Sequence, residues 1–160
     1  MKKTRIYLDT SVISHLTALD APGKRADTLR LWTRIQAGEY EVVLSEAVFD
    51  ELTKCPEPKR GYLYLYLEQI QYERVESNDK VVALASKFID FGILKEKSFN
   101  DCRHIAAAMF SGCEIVVSWN FKHIVNTKTI RGAREIAAKG GYKDMIICSP
   151  TMLSEESEDE

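Results

Sequence analysis

The sequence lacks the cysteine pattern of a disulfide scaffold or a zinc site. Its four cysteines are widely spaced, contain no Cys-x-x-Cys pair and have no histidines at zinc-ligand spacing. The apolar run Ile6-Tyr7-Leu8 falls far short of a signal-peptide core of roughly 7–15 residues, and no segment approaches the roughly 18 apolar residues of a membrane span. We therefore expect reduced thiols, no membrane partner and a cytoplasmic location.

Several nucleotide and phosphate motifs are also missing. The chain contains no Gly-x-x-x-x-Gly-Lys phosphate loop, and no Gly-x-Gly-x-x-Gly turn follows its first apolar run. Asp9 is followed by Thr10 and Ser11, so the second aspartate of an Asp-x-Asp phosphatase pattern is absent. These absences exclude the commonest nucleotide-binding and aspartyl-phosphatase classes.

Composition indicates one globular domain. The 160 residues are 45% hydrophobic and 29% charged, with no repeat and no linker-like stretch. A chain of this length buries roughly 70% of its unfolded surface. We expect a domain over residues 1–150 and an acidic tail over residues 151–160.

The chain as a whole has little net charge, because acidic and basic residues are nearly equal in number. The formal net charge is -2, but five of the 24 acidic residues lie within residues 155–160. The remaining 19 acidic residues face 22 Lys and Arg, an excess of three positive charges in the body. This excess is compatible with a polyanionic partner but does not require one.

Short β-rich runs alternate with longer helical patterns, which is typical of βα units and a parallel sheet. Apolar spacing of three and four residues, as in Val81, Leu84, Ala85 and Phe88, predicts helices between these runs. The apolar stretch Gly61 to Gln71 alternates like a strand, but its position before a strand candidate favours a helix. The predicted strands are Arg5 to Leu8, Glu41 to Leu44, Glu73 to Glu76, Glu114 to Ser118 and Met145 to Cys148.

Four polar residues are placed where such a fold would bring them together. Asp9 closes the first strand, Glu51 lies in the helix after the second, Asp101 opens a helix and Asn120 follows the fourth strand. In a parallel sheet the carboxyl ends of strands and the following helix N-termini share one edge, where ligands bind. Three carboxylates and an amide there would suit Mg²⁺ or Mn²⁺, and Asp101 would be held beside Asp9.

Each of these residues also has a purely local interpretation. Asp9 suits an N-cap, and Asp101 would be the third residue of a helix capped by Ser98, where an acid interacts well with the helix dipole. Glu51 borders a buried stripe with Val48 and Leu52, whereas Asp50 and Glu46 remain rival ligands. Asn120 suits a turn, and His104 and His123 lack metal-ligand spacing.

A basic segment follows Asn120. Between residues 121 and 143 only Glu135 opposes a set of Lys and Arg side chains, which could contact phosphates or form an ordinary solvated helix. Trp119 or Phe121 could stack on a base or be buried. The basic side chains are Lys122, Lys128, Arg131, Arg134, Lys139 and Lys143.

The sequence resembles the PIN-domain family, including the VapC-like toxin ribonucleases, over roughly residues 4–150. The segments that carry the resemblance are 6–13, 45–52, 100–108 and 117–121, of which the first and third are fairly specific. The resemblance implies a three-layer α/β/α sandwich with a central parallel sheet and a Mg²⁺ or Mn²⁺ pocket. It implies metal-site positions at Asp9, Glu51 and Asp101, and a small hydroxyl position at Ser118. Asn120 falls where many members carry Asp, which puts a second metal ion in doubt.

The expected function is metal-dependent endoribonuclease cleavage of single-stranded RNA, with the protein a candidate toxin of a toxin-antitoxin pair. The resemblance further implies an antitoxin partner and a homodimer. A non-catalytic PIN-like module that binds RNA or protein is the alternative, because Asn120 departs from the family pattern. The residues expected to bind substrate are Thr10, Ser118, Lys122, Arg131 and Arg134.

Overall fold

The computed structural model describes residues 2–158, which fold around one parallel β-sheet. The strand order is β3-β2-β1-β4-β5, and every neighbouring pair is parallel. The five predicted strands are therefore confirmed, and no strand end differs from its predicted position by more than one residue. The strands are β1 (Thr4–Leu8), β2 (Tyr40–Ser45), β3 (Glu73–Val75), β4 (Ile115–Val117) and β5 (Ile146–Cys148).

Helices cover both faces of the sheet, as the expected three-layer sandwich requires. The side chains of Ile6, Tyr7 and Leu8 alternate between the two faces, and all three are fully buried. The helices are α1 (Thr10–Ser14), α2 (Pro22–Gln36), α3 (Glu46–Thr53), α4 (Lys59–Leu67), α5 (Asp79–Asp90), α6 (Phe99–Phe110), α7 (Thr127–Gly140) and α8 (Pro150–Glu158), with single 3₁₀ turns at His15–Thr17 and Glu96–Ser98.

Two groups of helices pack against the sheet. Helices α2 and α8 pack together, and α2 contacts β2. Helix α6 contacts β2 and β4 and packs against α5, which in turn contacts α7. Three consecutive buried alanines, at positions 106–108, let α6 approach the sheet closely and so bring its N-terminus to the ends of the strands.

The stretch at residues 61–71 begins as a helix, as predicted from its position. Within α4, Leu63 and Leu67 are buried whereas Tyr62 and Leu65 are exposed. The buried residues are four positions apart, which is the spacing of one helical face. The segment therefore contacts the core as a helix, although its apolar residues alternate as in a strand.

The last described helix enters the range that the sequence assigned to an acidic tail. Leu153 of α8 is buried, its carbonyl accepts a hydrogen bond from Arg34 at 3.2 Å, and Thr151 donates to Asp27 at 2.6 Å. Residues 151–154 thus pack against α2. The acidic side chains of residues 155–160 lie outside the described part of the chain.

Within residues 2–158, every helix is too short or too polar to span a lipid bilayer.

Candidate active site

The carboxyl ends of β1 and β4 form the floor of the candidate site. Leu8 pairs with Val117 in the sheet, so Asp9 and Ser118, the residues that follow them, emerge side by side. The Asp9 N–H extends the ladder by donating to the Val117 carbonyl at 3.3 Å. The central position of β1 in the sheet therefore explains why the first acidic residue lies in the middle of this edge.

Asp9 is a buried carboxylate surrounded by neutral donors. Ser11 donates to one of its oxygens at 2.6 Å, Ser118 donates to the other at 2.5 Å, and the Val12 N–H donates at 3.2 Å. Asp9 therefore caps α1 and lies in the polar cluster at the same time. Burial raises the pKa of Asp9, although the charge of nearby His104 and the two serine hydroxyls oppose that shift.

Glu51 reaches the same edge from α3, where it is held by two groups. Thr10 donates to its Oε1 at 3.1 Å, and His104 Nε2 lies 2.5 Å from the same oxygen. Burial would raise the pKa of Glu51, but the hydrogen bond and charge of His104, aided by Thr10 and Arg103, together lower it. Of its rivals, Asp50 pairs instead with Arg103 at 3.0 Å.

A buried histidine fixes the position of Glu51. The ring of His104 is only 2% exposed, and its Nδ1 lies 2.6 Å from the hydroxyl of Tyr7, which in turn lies 2.7 Å from Ser45 Oγ. The imidazole thus bridges the core of the sheet and a half-exposed carboxylate. Its role as a carboxylate partner was not predicted from the sequence, although its position three residues after Asp101 on one helix face is a usable signal.

Asp101 lies in the first turn of α6, as predicted, and is bonded to the loop after β4. Asn120 Nδ2 donates to Asp101 Oδ1 at 3.3 Å, and His123 Nδ1 lies 2.9 Å from Oδ2. The Asn120 oxygen accepts the backbone N–H of His123 at 2.9 Å. Asn120 therefore ties the loop to α6 through its amide nitrogen and stabilises the loop itself through its amide oxygen.

Asp101, which the sequence predicts to be held beside Asp9, is connected to Asp9 through two intervening residues. Ser118 Oγ donates to Asp9 and accepts the N–H of Asn120 at 2.9 Å, and Asn120 then donates to Asp101. Hydrogen bonds thus connect Asp9, Asn120 and Asp101, whereas Glu51 is bonded to Thr10, the chain neighbour of Asp9. Hydroxyls and an amide separate the carboxylates.

The donor chemistry of this network suits a hydrated hard cation. Among the described residues, no three His, Cys, Asp or Glu side chains lie close enough together to enclose a metal ion. Mg²⁺, however, usually takes only one or two carboxylates and keeps several waters. A buried Asp9 whose hydrogen bonds all come from neutral groups is a negative charge that such a cation would compensate.

A groove lined by four lysines begins beside Asp101. It has a volume of about 260 Å³, and its wall includes His123, the partner of Asp101, and Asn126, the N-cap of α7. None of its lysines takes part in an ion pair among the described residues. The four are Lys95, Lys97, Lys122 and Lys128.

Three of the predicted substrate residues lie at this edge or groove, and two lie outside them. Thr10 and Ser118 bond to Glu51 and Asp9, and Lys122 lines the groove. Arg131 and Arg134 are exposed on α7 but do not line it, and Arg134 lies 3.3 Å from Asp144. Lys95 and Lys97 were missed because they precede α6, far in sequence from the basic segment.

The fold is an α/β protein whose parallel sheet has helices on both faces. The carboxylate and hydroxyl side chains of the candidate site lie at the C-terminal ends of the strands. A PIN-domain family profile matches residues 6–124. The chain belongs to the PIN-domain family, which confirms the resemblance found in the sequence. Comparison with functionally curated protein sequences finds no match.

Two solved structures share the fold. One is a chain of VapBC2 from Rickettsia felis bound to a DNA fragment from their promoter, with 14% identity and a TM-score of 0.56, covering 91% of this chain and 98% of that one. The other is VapC20 of Mycobacterium tuberculosis, a sarcin-ricin loop cleaving toxin, with 19% identity and a TM-score of 0.58, covering 74% and 92%. At these identities the likeness concerns the fold.

Proposed function

We propose that the protein is a Mg²⁺- or Mn²⁺-dependent endoribonuclease that cleaves single-stranded RNA. The observation that carries the proposal is the buried Asp9 carboxylate at the strand edge, which hydrogen bonds connect to Asn120 and Asp101, with Glu51 bonded to the adjacent Thr10. A lysine groove beside that network supplies the positive charge that a phosphodiester chain requires.

Asp9, Glu51 and Asp101 would hold the cation. PIN nucleases generally use divalent metals, and a bound divalent ion supplies Lewis acidity that activates water and offsets charge on the phosphate oxygens. The protein's own groups prepare the ligands: His104 favours the ionised form of Glu51, and Ser118 orients Asp9. Thr10 fixes Glu51 relative to the strand end.

Family membership and the groove support the proposed substrate and partner. The solved structures that share the fold include a sarcin-ricin loop cleaving toxin and a VapBC2 structure bound to promoter DNA, which support an RNA substrate and an antitoxin partner for this chain. We infer a role as the toxin of a toxin-antitoxin pair. The homodimer and the cytoplasmic location expected from the sequence stay predictions.

One observation favours the alternative of a non-catalytic RNA- or protein-binding module. The carboxylates are separated by Ser118 and Asn120, and no three metal-binding side chains among the described residues are grouped around one point. A cation would have to complete its coordination with water or substrate. The alternative predicts RNA binding without metal-dependent turnover.

The deciding experiment measures cleavage of single-stranded RNA by the purified protein with Mg²⁺, with Mn²⁺ and with a chelator. Wild type should cleave only with a divalent ion, and Asp9→Asn, Asp101→Asn and Glu51→Gln should each lower the rate at least 100-fold, on the order of the loss of a key electrostatic group. Asp50→Asn is the matched control, because Asp50 is exposed and paired with Arg103. Cleavage retained in a stable Asp9→Asn or Asp101→Asn variant would exclude the proposed metal site.

A further inference from the structure

The turn after β4 presents two aromatic side chains in opposite environments. Trp119 is 6% exposed, and its indole N–H donates to Thr28 at 2.9 Å. Phe121, two residues later, is 48% exposed although it is a large apolar ring. Trp119 is therefore part of the core, whereas Phe121 faces solvent.

The exposed ring is nevertheless held in place. Phe121 meets Trp119 edge-on, with ring centroids 6.2 Å apart and planes at 64°, and its N–H donates to the Trp119 carbonyl at 3.0 Å. The ammonium of Lys24 lies 5.5 Å from the Phe121 centroid and 5.6 Å from that of Trp119. A fixed aromatic ring loses little conformational entropy when a flat ligand stacks on it.

The residue that carries this ring is close in the chain to residues that bond the carboxylates. Phe121 directly follows Asn120, which bonds Asp101. The Trp119 N–H donates to Ser11 Oγ at 2.9 Å, and Ser11 donates to Asp9. The turn that carries Phe121 is thus connected to two of the three carboxylates, and Phe121 lies one residue after the Asn120 that bonds Asp101.

We propose that Phe121 is a nucleobase-stacking subsite, with Lys24 neutralising the phosphate next to the stacked base. Aromatic rings stack on every base, and a nearby lysine adds a charge contact to the backbone. Base faces are available only in single-stranded or flipped-out nucleotides, so the subsite selects unpaired substrate. This inference deepens the proposed function and rests on it for the identity of the ligand as a nucleic acid.

A second exposed phenylalanine in the same chain allows the proposed subsite to be compared with an ordinary exposed ring. Phe91 is 55% exposed, and the ammonium of Lys139 lies 5.7 Å from its ring centroid. The two pairs match in exposure and in the nearby cation, but Phe91 follows α5 and has no bond to the carboxylate network among the described contacts. Phe91 therefore serves as the matched control.

The test measures binding in a chelator, where cleavage plays no part. The probes are a fluorescently labelled oligouridine and an abasic sugar-phosphate oligomer of equal length. Phe121→Leu should weaken oligouridine binding by roughly 5- to 100-fold and leave abasic binding unchanged. Phe121→Tyr should restore binding to within about twofold, because a ring is retained, and Phe91→Leu should have no effect.

The outcomes test the stacking subsite independently of RNA cleavage. Equal affinity of wild type for both probes, or equal loss in the Phe121 and Phe91 variants, would overturn the stacking subsite. A base-dependent loss confined to Phe121→Leu would support it. Failure of the metal-dependent nuclease proposal would appear instead as absence of cleavage when Mg²⁺ or Mn²⁺ is restored, with base-dependent binding intact.

Discussion

At the residue scale, the site combines charge burial with hydrogen bonding that only partly offsets it. Asp9 is 3% exposed and receives three hydrogen bonds, yet burial still raises its pKa. Glu51 shows the opposite balance, because His104 lowers its pKa. Two carboxylates at one edge thus differ in how readily each accepts a proton.

Asp9→Asn should stabilise the metal-free protein. The raised pKa means that the folded state binds the Asp9 proton more tightly than the unfolded state, so stability falls as pH rises from the ordinary carboxyl pKa through the folded one. Asn caps helices as well as Asp but carries no charge. At neutral pH in a chelator, we expect a gain of about 1 kcal/mol, or roughly 2–4 °C in Tm.

Thermal unfolding as a function of pH checks this expectation. The gain should shrink as the pH falls towards about 4 and vanish below about pH 3, where Asp9 is protonated in both the folded and the unfolded state. Added Mg²⁺ should raise the Tm of wild type but not of Asp9→Asn. Asp50→Asn, which alters an exposed carboxylate, should show no neutral-pH gain; a gain of equal size there would contradict the buried-charge interpretation.

Asn120→Asp should change metal loading. The Asn120 amide donates to Asp101, so a carboxylate in its place would put two negative groups together and increase their demand for a cation. We expect wild type to bind one Mg²⁺ or Mn²⁺ tightly and a second weakly, and Asn120→Asp to bind the second at least about tenfold more tightly.

Calorimetric titration of both proteins measures these affinities. Asn100→Asp is the control, because it adds the same charge next to Asp101 but towards Arg103, which already bonds Asn100 at 2.9 Å. Two equally tight sites in wild type, or the same titration curve for wild type and Asn120→Asp, would show that Asn120 does not limit metal loading.

At the element scale, α7 docks through a close approach at one glycine. A Cβ placed on Gly132 would lie 2.3 Å from Ile93 Cδ1 and 2.7 Å from Ile93 Cγ1. Ala133, Ile136 and Ala137 continue the buried face of the helix. This packing leaves the basic side chains of α7 on its outer face, and it places Lys128 beside the groove.

Gly132→Ala should destabilise the fold, although alanine favours helices more than glycine does. Overpacking costs about 1–3 kcal/mol, and the helix propensity gain offsets up to ~1 kcal/mol of it. Gly23→Ala is the matched control within α2, because a Cβ there meets nothing within 4 Å and should be neutral or stabilising.

Chemical denaturation of Gly132→Ala, Ile93→Val and the double variant measures the free energy of unfolding of each. Ile93→Val removes the Cδ1 atom that a Cβ at position 132 would strike, so the double variant should recover part of the loss caused by Gly132→Ala. Strictly additive losses would show that the contact with Ile93 is not the cause.

At the scale of the whole molecule, part of the positive charge that forms no ion pair among the described residues lines a groove beside the carboxylates. Several arginines are engaged in ion pairs, including Arg5, Arg34 and Arg103. The lysines of the groove have no ion pair among the described residues. A nearly neutral chain can therefore still present a local positive surface to a polyanion.

Replacing Lys97 and Lys128 together by Gln should weaken single-stranded RNA binding and reduce the slope of log affinity against log salt by about 1.4, for two lost phosphate contacts. The comparison pair is Arg131 and Arg134, which the sequence predicts to contact phosphate. Because Arg134 is paired with Asp144 and neither arginine lines the groove, we expect a smaller change for that pair.

Binding titrations over a range of salt concentrations in a chelator give both slopes. Lys80→Gln with Lys87→Gln removes the same number of exposed charges from α5 and should leave the slope unchanged. An unchanged slope for the Lys97 and Lys128 variant would show that these lysines do not contact RNA phosphates.

The sequence by itself determined the fold class, the strands and the edge at which the polar residues meet. Strand runs such as Ile6 to Leu8 and the helical spacing from Val81 to Phe88 are local patterns, and the shared edge follows from parallel topology. Asp9 and Asp101 were identified because they stand at element boundaries, and those boundaries are readable from neighbouring residues.

Only the tertiary structure decided which side chains touch. His104 bonds Glu51 across 53 positions, Asn120 and His123 bond Asp101 across 19 and 22, and Lys97 meets Lys128 at one groove. No local spacing encodes these pairs, because they depend on how α6 docks on the sheet and how the loop after β4 turns. The physical reason is that periodicity specifies which face is buried, whereas packing in three dimensions specifies the neighbour that each polar atom finds.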